Sequence, residues 1–474
     1  MEGTAAPSSV NYANTLPLAI ASTQNRRSFF PQNGQNFTDT GSNIIRIDVN
    51  ADGLLDCQQS YLEFTLTSLV NNTRTLDQGH PWIKRLTIES AGVVLEDINN
   101  YNRLIGGILT PSQGSAAFTG EIQCANFGSQ NSNNGAGAAV ALPQFMNALA
   151  GVTVAAGAQP AQDAANATGV MAANAAAPNA GGTPITGQYH LACGMLNLDK
   201  YLPLVLMGQG FTIQLELESG NNIGIAPAAN AANAQSYQIS NVKYVAHIVE
   251  MQRDFYDMMR NLQAQSGGSI MLGSSTFRHY SHVFTPTQGS TEEINISARV
   301  RSLESLLWCS NRTDNIANNQ FYNLSNSTPL GCAAGNYAVF IGAQRYPSNQ
   351  INWNNATNKG EAYQELRKCF GSLGSVNHGG FLNAGTYLSD EDARLCTVAG
   401  GVPRYGPMGL SFRSFRHELE DGIDLSSRAL PCRLAINTTE ITGGGAGNQQ
   451  TVDIYAQATI LFYVNMDGSV TSSV

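Results

Sequence analysis

Apolar and polar residues alternate one for one along a series of separated stretches of this chain. That period of two describes strands with one face on a core and the other toward water. Ile45, Ile47 and Val49 alternate with Arg46 and Asp48, and Leu62, Phe64 and Leu66 with Glu63, Thr65 and Thr67. Phe211, Ile213, Leu215 and Leu217 repeat the pattern, as do Val242, Tyr244, Ala246 and Ile248. Near the end Val452, Ile454, Ala456, Ala458, Ile460 and Phe462 alternate over a longer run. Turn signals such as Asp52-Gly53 and Ala91-Gly92 separate the runs. Short strands punctuated in this way predict an all-β sandwich or barrel.

The 474 residues exceed one ordinary domain. The two halves end alike, each with a medium alternating strand, a loop rich in Gly, Asn and Ala, and one long strand. The likeness is one of layout, without close identity. Met251, Phe255, Met258 and Leu262 recur at helical spacing before Gly267-Gly268 and predict a connecting helix. The expected division is therefore an N-terminal arm over 1–40, a first β unit over 41–250, a helix over 251–268, a second β unit over 269–466 and a C-terminal tail over 467–474. Residues 111–187 read as a loop insertion, with a helix possible over 142–150, and 311–405 as a loop-rich insertion holding a helical island at 361–370. A further short helix is expected over 101–109.

Charged residues make up only 12% of the chain, about half the roughly 25% usual for soluble proteins. A polar but nearly neutral surface packs against other protein without stripping water from many ions, and interface cores are depleted in Lys, Glu and Asp for that reason. The net charge is −9, and the only early basic cluster is Arg26-Arg27, so no direct binding of nucleic acid is expected. No apolar run reaches the length of a membrane-spanning helix, and no secretory signal opens the sequence, which suggests a reducing compartment. The eight cysteines form no C-x-x-C pair, so buried free thiols are expected instead of zinc ligands or a disulfide framework.

No catalytic residue, metal site or cofactor is predicted. Asp48-x-Asn50-x-Asp52-Gly53 matches the start of a calcium loop, but the twelfth position, where the motif needs a bidentate Glu, is Gln59, and the flanks alternate as strands. A strand end and turn is the expected reading. His279 and His282 fall on opposite faces of a strand and make poor co-ligands. His417-Glu418 lacks the second His of a zinc protease, and Asp390-Glu391-Asp392 reads as a solvated turn. Trp82 and Trp308 lie in strand patterns and belong in a core. Trp353 is placed in a loop, as its anchor or as the best of the three to contact a carbohydrate or receptor.

Several segments resemble the double jelly-roll major capsid proteins, in look closest to those of polinton-like viruses and virophages. They are IIRIDVNADGLLD with YLEFTL, WIKRLTIESAGVVLEDINNYNRL, YLPLVLMGQGFTIQLELE, VKYVAHIVEM and, more weakly, RHELEDGIDLSSRALPCRLAI. They spread over most of the chain outside the 111–187 insertion. The resemblance implies two tandem eight-stranded jelly rolls and a non-enzymatic virion protein. It implies a homotrimer of pseudo-sixfold outline, tiling an icosahedral DNA virus shell with neighbouring trimers and with penton and minor capsid proteins. Long loops would form towers and trimer contacts, and the arm would face the shell interior, in contact with an inner membrane where one exists. Two readings stand beside it. One is a minor or penton-type capsid protein, which usually has a single roll. The other is a tandem β-sandwich carbohydrate-binding protein or enzyme. An enzyme would need paired carboxylates in a cleft, and the strands offer only Glu63, Glu89, Glu96 and Glu216.

Overall fold

The structure is a computed structural model that describes residues 22–68, 82–109, 112, 185–220, 236–312, 332–354, 357–370, 406–413, 422–427, 430–441 and 449–474. In the first half, strands β1 (Ser22–Phe29), β3 (Ile44–Val49), β4 (Leu54–Ser68), β5 (Ile83–Ser90), β6 (Val93–Asn99), β7 (Ile185–Tyr189), β8 (Phe211–Leu217) and β9 (Tyr237–Met251) form two sheets, with the short β2 (Asn36–Thr38) added on β9. The orders are β1-β9-β4-β7 and β3-β8-β5-β6. In the second half, β10 (Ser269–Phe284), β11 (Thr291–Ile296), β12 (Leu303–Arg312), β13 (Cys332–Ile341), β14 (Gln344–Asn354), β15 (Met408–Ser411), β16 (Cys432–Ile441) and β17 (Gln450–Asn465) give β10-β17-β12-β15 and β11-β16-β13-β14, with β18 (Val470–Ser473) added on β17.

Without β2 and β18, both halves reduce to one scheme. The first strand pairs with the eighth, the eighth with the third and the third with the sixth; the second pairs with the seventh, the seventh with the fourth and the fourth with the fifth. All named pairings are antiparallel. This is the jelly roll of two interlocked Greek keys, present twice in one chain.

Alternation is cleanest in β8. β8 buries Phe211, Ile213, Leu215 and Leu217 and leaves Thr212, Gln214 and Glu216 half-exposed. β17 differs, because it is flanked by strands on both sides and covered on both faces. Val452, Asp453, Ile454, Tyr455 and Ala456 are all buried in a row. Aromatic rings fill the interiors: Phe64 and Trp82 meet edge to face at 4.7 Å in the first roll, and Trp308 and Tyr337 at 4.9 Å in the second.

α1 (Tyr101–Leu104) continues into a π-helical turn over Ile105–Leu109, α2 (Arg253–Gln265) joins the rolls, and α3 (Gly360–Cys369) packs on β15. Among the described residues no helix is long and apolar enough to cross a membrane.

Four expectations are corrected. The 1–40 arm contains β1, the first strand of the first roll, paired with β9 from Ser22↔Met251 to Phe29↔Tyr244. Its sequence, STQNRRSF, is polar on both faces and largely exposed, so main-chain pairing and not burial holds it. The 467–474 tail contains β18, whose Val470 is buried. The 311–405 insertion contains β13 and β14, hidden by Gly, Pro and Asn within the strands. Trp353 lies in β14 and is 2% exposed, which removes it as a surface contact. The helix considered over 142–150 lies outside the described residues, as does 111–187 apart from Ser112 and its last three residues.

Candidate functional site

Side chains from the two rolls interlock along a seam. β6 and α1 approach it from the first roll, β10 and β17 from the second. Asp453 sits at its centre on β17, 1% exposed. Arg103, on α1 and itself buried, brings Nε to 2.5 Å from Asp453 Oδ2. Asn100 donates to Asp453 Oδ1 at 3.0 Å, and His279 Nε2 from β10 lies 2.8 Å from the same oxygen. Tyr455 donates its hydroxyl back to the Asn100 carbonyl at 2.7 Å. Asn100 adopts a left-handed φ of 48°, where Asn is tolerated better than bulkier residues, and this turns the chain from β6 into α1.

A second buried carboxylate crosses the seam nearby. Glu96 on β6 accepts the backbone N–H groups of Gly194 and Met195 at 2.8 and 3.1 Å, and the hydroxyl of Thr276 from β10. The two acids are pushed in opposite directions. Burial raises the Glu96 carboxyl above its usual range, against the pull of Thr276 and the two N–H groups. Burial also pushes Asp453 upward, but the Arg103 charge, helped by His279 and Asn100, outweighs it and holds the group below the usual carboxylate range. A hydrogen bond favours whichever ionic form it serves, and a nearby cation favours the anion.

The C-terminal strand closes the far end. Ser472 donates to the Leu95 carbonyl at 2.8 Å, and Gly208 N–H donates to the Gly468 carbonyl at 3.0 Å. Gly468 has φ +81°, and a Cβ there would stand 2.8 Å from the Gly208 nitrogen, so both the turn and the contact require glycine.

The residues weighed for other chemistry are dispersed. Asp48 accepts the Thr212 hydroxyl at 2.7 Å, and Gln59 is exposed on β4. Among the described residues no cluster of His, Cys, Asp and Glu has the makings of a metal site. His282 lies 2.7 Å from Glu292 while His279 turns into the seam. Glu63 pairs with Lys243 at 2.6 Å, Glu89 with Arg46 at 3.6 Å and Glu216 with Lys84 at 3.7 Å, while Glu96 is buried. The four acids do not converge as a catalytic pair. Cys57, Cys193, Cys309, Cys369 and Cys432 are buried free thiols, and burial pushes Cys57 up to about 12 and Cys309 to about 11. Asp390, Glu391, Asp392, His417 and Glu418 lie outside the described residues.

Sequence reasoning did not find Arg103, Asn100 or Asp453 as a unit. The one signal the sequence carries is a charge, Asp453, set between Val452 and Ile454 in a long apolar strand pattern.

No family model matches the sequence, and no curated protein does. Solved structures match over nearly the full length. The PBCV-1 protein VP54, fitted into a cryo-EM reconstruction of the virophage Sputnik, superposes with a TM-score of 0.55 at 11% identity, over 98% of this chain and 99% of that one. The cryo-EM structure of the Sputnik virophage gives 0.53 at 11%, over 100% and 93%. The mavirus major capsid protein gives 0.51 at 9%, over 100% and 95%. At these identities the likeness establishes the fold, and the strand order found twice agrees with it: the chain has the double jelly-roll fold of viral major capsid proteins.

Proposed function

We propose that this chain is the major capsid protein of an icosahedral DNA virus, and that three copies form a homotrimer of pseudo-hexameric outline. The observation that carries the reading is the identical strand order of two jelly rolls in one chain. Three such chains supply six similar units, and a cyclic trimer closes by heterologous contacts. Trimers then tile the shell beside neighbouring trimers and penton and minor capsid proteins. The low content of charged residues supports extensive self-contact. Obligate interfaces of this kind bury roughly 2,000–5,000 Å² or more.

A penton-type or minor role is less well supported, since both rolls are complete. The carbohydrate-active reading loses its support with Glu63, Glu89 and Glu216 in surface ion pairs and Glu96 buried. Sedimentation of the purified chain tests the proposal. A species of three times the 50.4 kDa chain mass is expected. A stable monomer at micromolar concentration would contradict it.

A further inference from the structure

We propose that Arg103 and Asp453 are positioning residues: a buried latch that makes the two rolls behave as one body, which copies of the chain need in order to assemble. The second half of this inference rests on the shell-forming reading above.

The argument starts from where the two charges sit. Arg103 belongs to α1 of the first roll and Asp453 to the central strand of the second, and their side chains are 6% and 1% exposed. Neither roll needs the pair to complete its own sheets, because the pairing of β17 with β10 and β12 is main-chain. Arg103 also brings Nη2 to 3.8 Å from Cys309 Sγ on β12, so the guanidinium spans two neighbouring strands of the second roll. Asn100, His279 and Tyr455 extend the network on both sides of the seam.

A comparison within the molecule separates a latch from ordinary stabilisation. Glu304 on β12 is fully buried and pairs with Arg413, with Ser275 and Thr459 also donating to it, all within the second roll. If Arg413 is removed, the fully buried Glu304 carboxylate regains water only by unfolding the roll. If one partner of Arg103–Asp453 is removed, the remaining charge regains water by opening the seam while both rolls stay folded. An unpaired buried charge takes the least costly route to solvent. The inter-roll pair thus controls coupling, and the intra-roll pair controls only stability.

The test is scanning calorimetry of the full-length protein with electron microscopy of the same samples. The wild type is expected to unfold in one transition. Asp453→Asn keeps the shape and removes the charge; it is expected to split unfolding into two transitions and to reduce assembled particles at least tenfold. Arg413→Met, which leaves the buried Glu304 unpaired, is expected to lower the transition temperature, keep a single transition and still assemble. One transition and normal assembly for Asp453→Asn would overturn the proposal, as would two transitions in the wild type. Should Asp453→Asn not fold, Arg103→Met, which removes the opposite charge, is read the same way. Hydrogen exchange on the wild type then adds a third reading: amides of 101–104 and 452–455 are expected to lose protection together as denaturant rises, and separate loss would overturn the latch. A wild type that unfolds in one step but never assembles would count against the shell reading and leave the latch standing.

Discussion

Arg103 Nε lies 2.5 Å from Asp453 Oδ2, joining a four-residue helix of one jelly roll to the central strand of the other where neither charge reaches water. The pair holds its geometry because each member has other partners, Asn100 and His279 for the acid and Cys309 for the base. Replacing Arg103 by Met leaves Asp453 charged and buried. Chemical denaturation should resolve two transitions in place of one, with the coupling between the rolls weakened by about 3–5 kcal/mol, the range for breaking a buried pair from one side.

The seam should respond to pH on both sides of the ordinary carboxylate range. Asp453 has a folded value below its ordinary 3.8, so its contribution is present above 3.8 and is lost as pH falls through the folded value. Glu96 has a folded value above its ordinary 4.5, so its contribution is complete below 4.5 and is lost as pH rises through the folded value. Thermal melts across pH should therefore show a flatter decline above pH 4.5 in Glu96→Gln. In Asp453→Asn the flattening should fall on the acid side, below 3.8.

Trp308 anchors the second core, edge to face with Tyr337, which in turn lies 6.1 Å from the Trp353 ring. Trp308→Ala should cost about 3–5 kcal/mol, the usual range for deleting a buried Trp. A urea titration that moved by less than 1 kcal/mol would mean the ring is not packed as described.

Gly335 leaves no room for a side chain. A Cβ there would stand 2.4 Å from the Asn437 carbonyl and 2.5 Å from the Trp353 ring. Gly335→Ala should destabilise by about 1–3 kcal/mol through overpacking, read as a lower urea midpoint at an unchanged slope.

What the sequence made legible follows from how each element is held. β8 announced itself because burial of one face imposes alternation on the residues, whereas β17, covered on both faces, was legible from the length of its apolar run. β1 did not, because its polar residues are held through the backbone along β9 and burial placed no demand on them. Trp353 looked like a loop residue because Asn and Ile neighbours surround it, yet β13 covers it from the adjacent strand. The seam was the least legible part. Asn100 and Asp453 stand 353 positions apart, and no local spacing connects them. A charge within an apolar strand signals a partner, but not which one.

The central claim is that two equivalent rolls in one chain let three copies build a six-sided shell unit. Single-particle electron microscopy of the purified protein tests it most directly. Particles of hexagonal outline with threefold symmetry, each holding three chains, are the predicted result. Monomers or twofold dimers of this chain, with no threefold species under any condition of salt or concentration, would contradict it.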